Sequence, residues 1–276
     1  MDRQEVDQAN INTERYVLML RISRNNLTCV SYQPAEDDSM RSFTIALSAD
    51  KESQTTSIEQ AIYAHEELLQ PYAKVYVVIE SNHFMFVPND LATRSDNSAF
   101  YSAIYRNESQ EQVLESHLPH IGAVMLWGVD ARLVSFLNRT FDTPTLLHPL
   151  IPLCEYFYRK SSAGNQRKVF VHLYKGRADV VCMSREGLLL ANTYNYRHSN
   201  DAAYHVLNVW KQLGLDQRRD EVHVAGEIAT RRDMSALLRN YIHTVVPVIF
   251  PSHCLVLGSD AMQIPFDLTA LSLCEL

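Results

Sequence analysis

The chain has 276 residues, 46% of them hydrophobic and 21% charged, a composition typical of a globular protein with a large core. A formal net charge of −7 argues against a protein built to grip nucleic-acid backbones, because that chemistry needs a basic excess. No apolar stretch approaches the roughly 20 residues that span a bilayer, and the polar first fifteen residues lack the apolar core of a signal peptide. Five cysteines without a CxxC pair indicate reduced thiols, so we expect a cytoplasmic protein.

The first ordered pattern is a three-stranded meander followed by a helix and a strand. The predicted elements are strands over Tyr16–Ile22, Leu27–Tyr32 and Ser42–Leu47, a helix over 57–70 and a strand over Val75–Ile79. Ser57 and Gln60 have the spacing of a capping box, in which two side chains satisfy free N–H groups of the first helical turn. This spacing predicts that the helix begins at Ser57.

An insertion at about 80–121 follows this pattern. It contains a predicted amphipathic helix near Gln110–Leu118 and ends before a strand over Ala123–Trp127, which we take as comparable to a later strand over Thr244–Phe250. Long segments on a rigid scaffold often carry function, and structural padding is the alternative. The first half is completed by a helix over Asp130–Arg139, a strand over Thr145–Leu147, a helix from Pro149 to about Tyr158 and a polar linker, Ser161–Gln166.

The second half repeats the first pattern. Its predicted elements are strands over Lys168–Tyr174, Ala178–Met183 and Gly187–Thr193, a helix over 199–213, a strand over Glu221–Ala225, a helix over about Arg232–Ile242, a strand over Thr244–Phe250 and an apolar tail, Pro265–Leu276. We expect Ser199 or Asn200 to cap the first of these helices and Gly214 to end it. An offset of 151 residues aligns the two meanders, so we expect two lobes, 1–160 and 161–276.

Three meandering strands and helix–strand units in two copies resemble the actin-like ATPase fold, an α/β fold of duplicated ribonuclease H-like lobes with mixed sheets. The residues that carry the resemblance are the meanders at 16–47 and 168–193, the helices at 57–70 and 199–213, and the strand–glycine unit Val222–Gly226. By order of elements it covers nearly the whole chain. The chain as a whole is also similar to a bacterial family of unknown function with that fold.

The resemblance implies phosphate-binding motifs that this chain lacks. The family's ATPases place an Asp-x-Gly turn between the first two strands of each lobe, where backbone N–H groups surround phosphates. The matching turns here are Arg21–Asn26 and His172–Arg177, and neither contains Asp-x-Gly. The family's adenosine motif ends in two glycines, whereas this chain has Gly226 alone. A nuclease of the ribonuclease H type is also disfavoured, since its metals need a carboxylate on the first strand.

By the resemblance, a ligand would bind in the cleft between the lobes. The candidate ligand-binding residues there are Ser23, Arg24, Asn25, Lys175, Gly176, Arg177, Gly226 and Glu227. We predict a non-catalytic binding or scaffolding module with a degenerate nucleotide site, no cofactor, no nucleic-acid partner and a protein partner. The alternative is a divergent ATPase or kinase that binds ATP and magnesium through Glu227, Asp179 or Asp201. A third option is assembly with itself, or with a membrane-bound partner, through the insertion.

Metal and nucleophile chemistry find little support in the sequence. The segment His65–Leu69 begins like the zinc-protease motif HExxH but lacks the second histidine. His117 and His120 are close in sequence, yet no spacing gathers enough ligands for zinc. We therefore predict no metal site and no catalytic residue.

Overall fold

The computed structural model describes residues 13–48, 53–92, 97–105, 110–161 and 164–274. Residues 162–163 of the predicted linker and 275–276 of the tail lie outside the described residues. The strands are β1 (Val17–Ile22), β2 (Asn26–Tyr32), β3 (Arg41–Ala46), β4 (Lys74–Ile79), β5 (Phe84–Pro88), β6 (Glu111–Leu118), β7 (Ala123–Asp130), β8 (Thr145–Leu147), β9 (Lys168–Tyr174), β10 (Arg177–Ser184), β11 (Gly187–Asn195), β12 (Glu221–Gly226) and β13 (Thr244–Pro247). The helices are α1 (Gln54–Tyr63), α2 (Asn89–Ala92), α3 (Asn97–Ile104), α4 (Ala131–Thr140), α5 (Leu150–Ser161), α6 (Ser199–Gln212), α7 (Ile228–Leu238), α8 (Ser252–Val256) and α9 (Phe266–Leu273).

Two five-stranded mixed sheets share one strand order. The N-terminal sheet has the order β3-β2-β1-β4-β8, and the C-terminal sheet has the order β11-β10-β9-β12-β13. In each sheet the first three strands along the chain pair antiparallel, and the last two run parallel to the central strand. Ile22 pairs with Ile79 in one sheet, and Leu173 pairs with Gly226 in the other. Because Leu173 lies 151 residues after Ile22, the pairing registers follow the predicted offset.

The first helix starts earlier than the capping-box pattern predicts. The hydroxyl of Ser53 accepts the backbone N–H of Thr56, which makes Ser53 the N-cap of α1. Ser57 lies inside the helix, and its Oγ accepts the backbone N–H of Ser48 at 2.9 Å. The prediction that the helix begins at Ser57 is therefore wrong, because the serine hydroxyl serves the loop after β3 instead.

The helix after the second meander has His198 as its N-cap, and an acid in the first turn bonds back to it. The carboxylate of Asp201 accepts the backbone N–H groups of Arg197 and His198, at 3.3 and 3.0 Å. The prediction of a cap at Ser199 or Asn200 is therefore wrong. The predicted end of this helix is confirmed: Gly214 has a φ of 56°, in the left-handed region that a helix C-terminus commonly requires.

The insertion forms a sheet of its own, with the order β5-β7-β6. The predicted helix near 110–118 is wrong, since Glu111–Leu118 is β6 and pairs antiparallel with β7 from Glu111–Asp130 to Leu118–Ala123. Its apolar residues fit a helical period only because the window is short. Pairing with β7 stabilises the segment as a strand instead. The strand comparable to β13 is β8, not β7 as predicted, so the insertion extends through Asp130.

The later elements of the C-terminal sheet are shorter or shifted. The helix predicted over about 232–242 begins at Ile228, directly after Gly226 and Glu227. The strand predicted to reach Phe250 ends at Pro247, a residue that has no N–H to donate to a neighbouring strand.

Helices α5 and α9 pack together between the two sheets. The ring of Phe157 in α5 stacks on Phe170 of β9, with centroids 4.4 Å apart. Phe266 of α9 meets Tyr156 edge-on at 5.3 Å. The described residues of the apolar tail thus pack against the body. One large core therefore contains the N-terminal sheet, both helices and one face of the C-terminal sheet, while α6 and α7 cover the other face of that sheet.

Candidate functional site at the junction of the two sheets

Arg21, near the end of β1, lies at the centre of the junction and is 1% exposed. Its Nε donates to Asp267 Oδ2 of α9 at 2.6 Å, and its Nη2 lies 2.9 Å from Oε1 of Glu80, which follows β4. The guanidinium also lies 4.4 Å from the ring centroid of Tyr174, the last residue of β9. We call Arg21, Glu80, Tyr174 and Asp267 the Arg21 cluster. It joins both sheets to the C-terminal helix.

The electrostatics of the Arg21 cluster keep the guanidinium charged. Burial by itself lowers the pKa of Arg21, but the negative charges of Asp267 and Glu80 outweigh burial, and the net pKa is raised. A buried ion pair of this kind holds only while both partners are present, because each charge alone would lack solvation. The contact between β1 and α9 therefore depends on Asp267.

A second charged group surrounds Asp179 on β10, a residue that is fully buried. Its carboxylate accepts from three side chains: Thr193 Oγ1 at 2.7 Å, Arg177 Nε at 3.1 Å and His172 Nδ1 at 3.1 Å. Burial alone raises the pKa of Asp179, but the hydrogen bond from His172 and the charge of Arg177 hold the net pKa well below its usual range. We call Asp179, His172, Arg177 and Thr193 the Asp179 cluster.

The ionised carboxylate fixes the proton of His172. Since Asp179 accepts, Nδ1 of His172 carries the hydrogen, and Nε2 points elsewhere. Among the residues the structure describes, no hydrogen-bond partner reaches this Nε2, although the ring is 0% exposed. His172 occupies the position in β9 that Arg21 occupies in β1. The two equivalent positions therefore carry different side chains, an imidazole and a guanidinium.

His148 ties the start of α5 to the end of β4. Its Nε2 lies 3.0 Å from the carbonyl oxygen of Ser81, and its Nδ1 accepts the backbone N–H of Leu150 at 3.2 Å. These two bonds require the neutral ring with its hydrogen on Nε2. Burial lowers the pKa of His148 to about 3. The imidazole therefore links the start of α5 to Ser81, the residue that follows Glu80.

The predicted site residues of the second half lie in the C-terminal sheet, in the turn after β9 and at the end of β12. Lys175 and Gly176 form the two-residue turn between β9 and β10, both with positive φ, as the common hairpin turns require. Arg177 turns inward to Asp179 and is buried. Gly226 pairs with Leu173, and Glu227 precedes α7 without a side-chain capping bond.

The predicted site residues of the first half lie in the turn between β1 and β2. Ser23 is buried, and its Oγ donates to Asn26 O at 3.0 Å, whereas Arg24 and Asn25 are exposed. Arg21 lies two residues before Ser23, and Tyr174 immediately precedes Lys175. The Arg21–Tyr174 contact therefore brings the two turns to the same junction.

Four residues of the junction escaped the sequence interpretation: Glu80, His148, Tyr174 and Asp267. Asp267 carried a usable signal, because it is the only charged residue between Pro265 and Cys274 and a lone acid in an apolar helix requires a cation. Its partner is 246 positions away, so no local pattern identifies Arg21.

The described residues contain neither a cluster of metal ligands nor a membrane-spanning helix. Within the described ranges, no three His, Cys, Asp or Glu side chains are gathered in a way that would hold a metal ion. In the same part of the chain, no helix combines the length and apolarity needed to cross a bilayer. All five cysteines are buried and unpaired.

Comparisons with known proteins agree on the fold. The family described as a protein of unknown function, DUF3822, matches residues 5–245. A crystal structure from Bacteroides thetaiotaomicron, described as a protein with an actin-like ATPase fold and unknown function, is 26% identical with a TM-score of 0.81, covering 98% of this chain and 99% of that one. The PilM–PilN type IV pilus biogenesis complex is 14% identical with a TM-score of 0.57, covering 94% and 98%. No curated protein matches the sequence. The predicted actin-like fold with mixed sheets is confirmed.

Proposed function

Because the chain belongs to the DUF3822 family of unknown function and has an actin-like ATPase fold, we propose that it is a non-catalytic binding or scaffolding module. It acts in the cytoplasm, where five unpaired thiols stay reduced. Its lobes are 1–160 and 161–276, with the insertion on the first. Its natural ligand is a protein rather than a nucleotide.

The observation that carries this proposal is the Arg21 cluster. Mg²⁺ requires oxygen ligands, and the ends of the first strands present Arg21 and His172 instead of carboxylates. A guanidinium binds phosphate, but its positive charge repels the Mg²⁺ that accompanies ATP. Here its Nε is already bonded to Asp267, and the side chain is buried. A nucleotide at this point would have to displace α9.

The divergent ATPase or kinase is less well supported by its own candidate acids. Asp179 already accepts three side-chain hydrogen bonds and is inaccessible to solvent. Asp201 is occupied by two backbone N–H groups at the start of α6. Glu227 is exposed and makes no side-chain capping bond, and a single carboxylate is a weak magnesium site.

Binding of a protein is favoured by the nature of one similar structure. The PilM–PilN structure is that of a complex in type IV pilus biogenesis, so the same fold there takes part in a protein–protein assembly. We propose a comparable use of the fold in this chain, with a partner of its own.

The test is ATP turnover together with thermal unfolding in the presence of ATP and magnesium. We expect neither magnesium-dependent hydrolysis nor a rise in Tm, whereas a nucleotide at 100 times its Kd would stabilise the native state by about 2.7 kcal/mol. Magnesium-dependent turnover that disappears in Lys175→Ala or Glu227→Gln, and persists in the exposed control Lys211→Ala, would overturn the proposal.

A further inference from the structure

The equivalent outer strands of the two sheets, β3 and β11, differ in how far other parts of the chain cover their free edges. Beside β3, the chain's own C-terminal segment covers the edge: the N–H groups of Asp38 and Met40 donate to the carbonyl oxygens of Val256 and Leu257, both at 2.8 Å. Within β3, the N–H of Ser42 donates to Asp260 Oδ2 at 2.9 Å. The strand at the corresponding place in the C-terminal sheet, β11, pairs with β10 alone.

The free side of β11 has backbone groups available for a further strand. The two-residue turn at Lys175–Gly176 makes Tyr174 and Arg177 a hydrogen-bonded pair, so the alternation of an antiparallel ladder directs the backbone of Ala191, Thr193 and Asn195 away from β10. The N–H of Thr193 is taken by the side chain of Asn192 at 2.8 Å, as expected of a group with no strand beside it. No other described backbone group bonds to this side of the strand.

The sequence of β11 lacks the usual protection of an edge. Edge strands commonly carry lysine, other charges or proline, which discourage pairing with another chain. The nine residues Gly187–Asn195 contain no charged residue and no proline, and Leu189 is 43% exposed. By contrast, β3 begins with Arg41 and is partly covered.

A groove of about 380 Å³ begins where β11 ends. Its lining residues are Asn195, Tyr196, Arg197, Asp201, Tyr204 and His205. The ring of His205 stacks on Tyr194 at 4.6 Å, and Tyr204, which is 67% exposed, lies edge-on to His205. Aromatic walls of this kind suit an apolar side chain.

The surroundings of the groove are basic, although the chain carries a net charge of −7. Arg197 is exposed at its rim, and exposed Lys175 adjoins it, because Gly176 O accepts the N–H of Tyr196 at 2.8 Å. The acid of the groove, Asp201, is already held by two backbone N–H groups, and these bonds lower its pKa. An incoming carboxylate would therefore lie near two cations, Arg197 and Lys175, and near one acid, Asp201, whose carboxylate is already hydrogen-bonded.

We propose that an extended acidic peptide segment of a partner protein adds to β11 as a further strand of the C-terminal sheet. Main-chain hydrogen bonds to Ala191 and Asn195 hold the segment, an apolar side chain enters the groove, and a carboxylate lies beside Arg197 and Lys175. This inference rests on the proposed function, since it names the binding surface. A second copy of β11 is not the occupant we favour, because that strand has no carboxylate to offer.

The test uses the full chain and a displayed library of random twelve-residue peptides as the probe. We expect enriched peptides with β-branched residues and Asp or Glu, and binding at least ten-fold weaker to Arg197→Glu, Tyr204→Ala and Ala191→Pro. The proline removes an outward N–H and blocks pairing, yet an edge strand tolerates it. Arg232→Glu in α7 and Tyr241→Ala in the turn after α7 change exposed side chains outside β11 and the groove. They are the matched controls and should bind as the unaltered chain does.

Three outcomes would overturn the inference. Unaltered binding by the three β11 and groove variants would locate the peptide site elsewhere and leave the proposed function standing. The absence of any enriched peptide would refute strand addition at β11, and a dimer lost in Ala191→Pro would make a second copy the occupant. Magnesium-dependent ATP turnover with intact peptide binding would overturn the proposed function alone.

Discussion

Arg21 and His172 occupy equivalent positions in the two sheets, and they are held by acids of very different origin. Arg21 binds Asp267, which is 246 residues away on α9, whereas His172 binds Asp179, seven residues away on the neighbouring strand. The first arrangement therefore depends on docking of the C-terminal helix, and the second on formation of one hairpin. Equivalent positions in the two sheets therefore acquire their partners in different steps of folding: docking of α9 for Arg21, and formation of the β9–β10 hairpin for His172.

The largest effect is expected at the Asp179 cluster. Replacing Asp179 by Asn leaves Arg177 buried without its counter-charge, which costs about 3–5 kcal/mol of unfolding free energy. Thr193→Val removes one donor from the same carboxylate and should cost about 1–2 kcal/mol. Urea unfolding of both variants measures the difference, and a loss below 1 kcal/mol in Asp179→Asn would show that the buried charges are not coupled.

A smaller effect is expected at the Arg21 cluster. Asp267→Asn should cost about 2–3 kcal/mol, less than a fully unpaired buried charge, because Glu80 still faces Arg21. The double variant Arg21→Met with Asp267→Leu should regain most of that loss, since an apolar pair of similar volume replaces the ion pair. Denaturant midpoints of Arg21→Met, Asp267→Leu and the double variant complete the cycle. A purely additive result would contradict a direct Arg21–Asp267 interaction.

The strands β4 and β12 end differently: β4 ends in Ile79 and β12 in Gly226. Adding one methyl group at Gly226 tests why a glycine is needed there. Gly226 has a φ of 129°, and a Cβ built there would lie 2.5 Å from the carbonyl oxygen of Leu173, whereas its counterpart Ile79 carries a full side chain. Gly226→Ala should therefore cost about 1–3 kcal/mol. Thermal unfolding checks this, and Gly214→Ala, where nothing obstructs a Cβ, controls for the loss of a glycine with positive φ. Equal losses in the two variants would exclude a steric origin.

The pH dependence of stability sharpens the comparison further. His148 stays neutral in the folded chain because its pKa is lowered to about 3, while the unfolded chain takes up a proton near pH 6.5. Stability therefore falls as the pH drops below 6.5, by up to about 2 kcal/mol at pH 5. The contribution of Asp179, whose pKa is also lowered, is lost only below its unfolded value of about 3.9.

The variant His148→Gln isolates this effect. The difference in unfolding free energy between pH 7 and pH 5 should shrink relative to the unaltered chain, whatever the variant's stability at pH 7. His223, whose pKa is lowered by burial, contributes a remaining slope, and His223→Gln serves as the matched control. An unchanged slope in His148→Gln would exclude His148 as its source.

Local patterns predicted the regular elements well and their ends less well. Alternating apolar residues and polar turns located both meanders to within one or two residues of their observed bounds. The cap of α1 was misplaced because Ser53 and Ser57 are equally good caps by composition, and the choice depends on where the loop after β3 lies. The segment 111–118 was misread because its strand partner, β7, is needed to distinguish a two-residue from a helical period.

The candidate site was only partly accessible to the same reasoning. The two turns and Gly226 were identified as neighbours, and the Arg21–Tyr174 contact joins their strands. Their predicted role as ligand-binding residues stays a prediction. The sequence interpretation offers Asp179 as a metal ligand of the ATPase alternative and assigns no role to Glu80 or Asp267, the other acids that neutralise the strand ends.

By itself, the sequence determined the repeated order of strands and helices, because hydrophobic periodicity and turn residues act over a few positions. It also determined that neither first strand ends in an Asp-x-Gly turn. Only the tertiary structure decided how the resulting charges are held, since Arg21 meets Asp267 once α9 packs between the sheets. Tertiary packing likewise left β11 as the barer edge, because the C-terminal segment crosses to β3 and not to its counterpart.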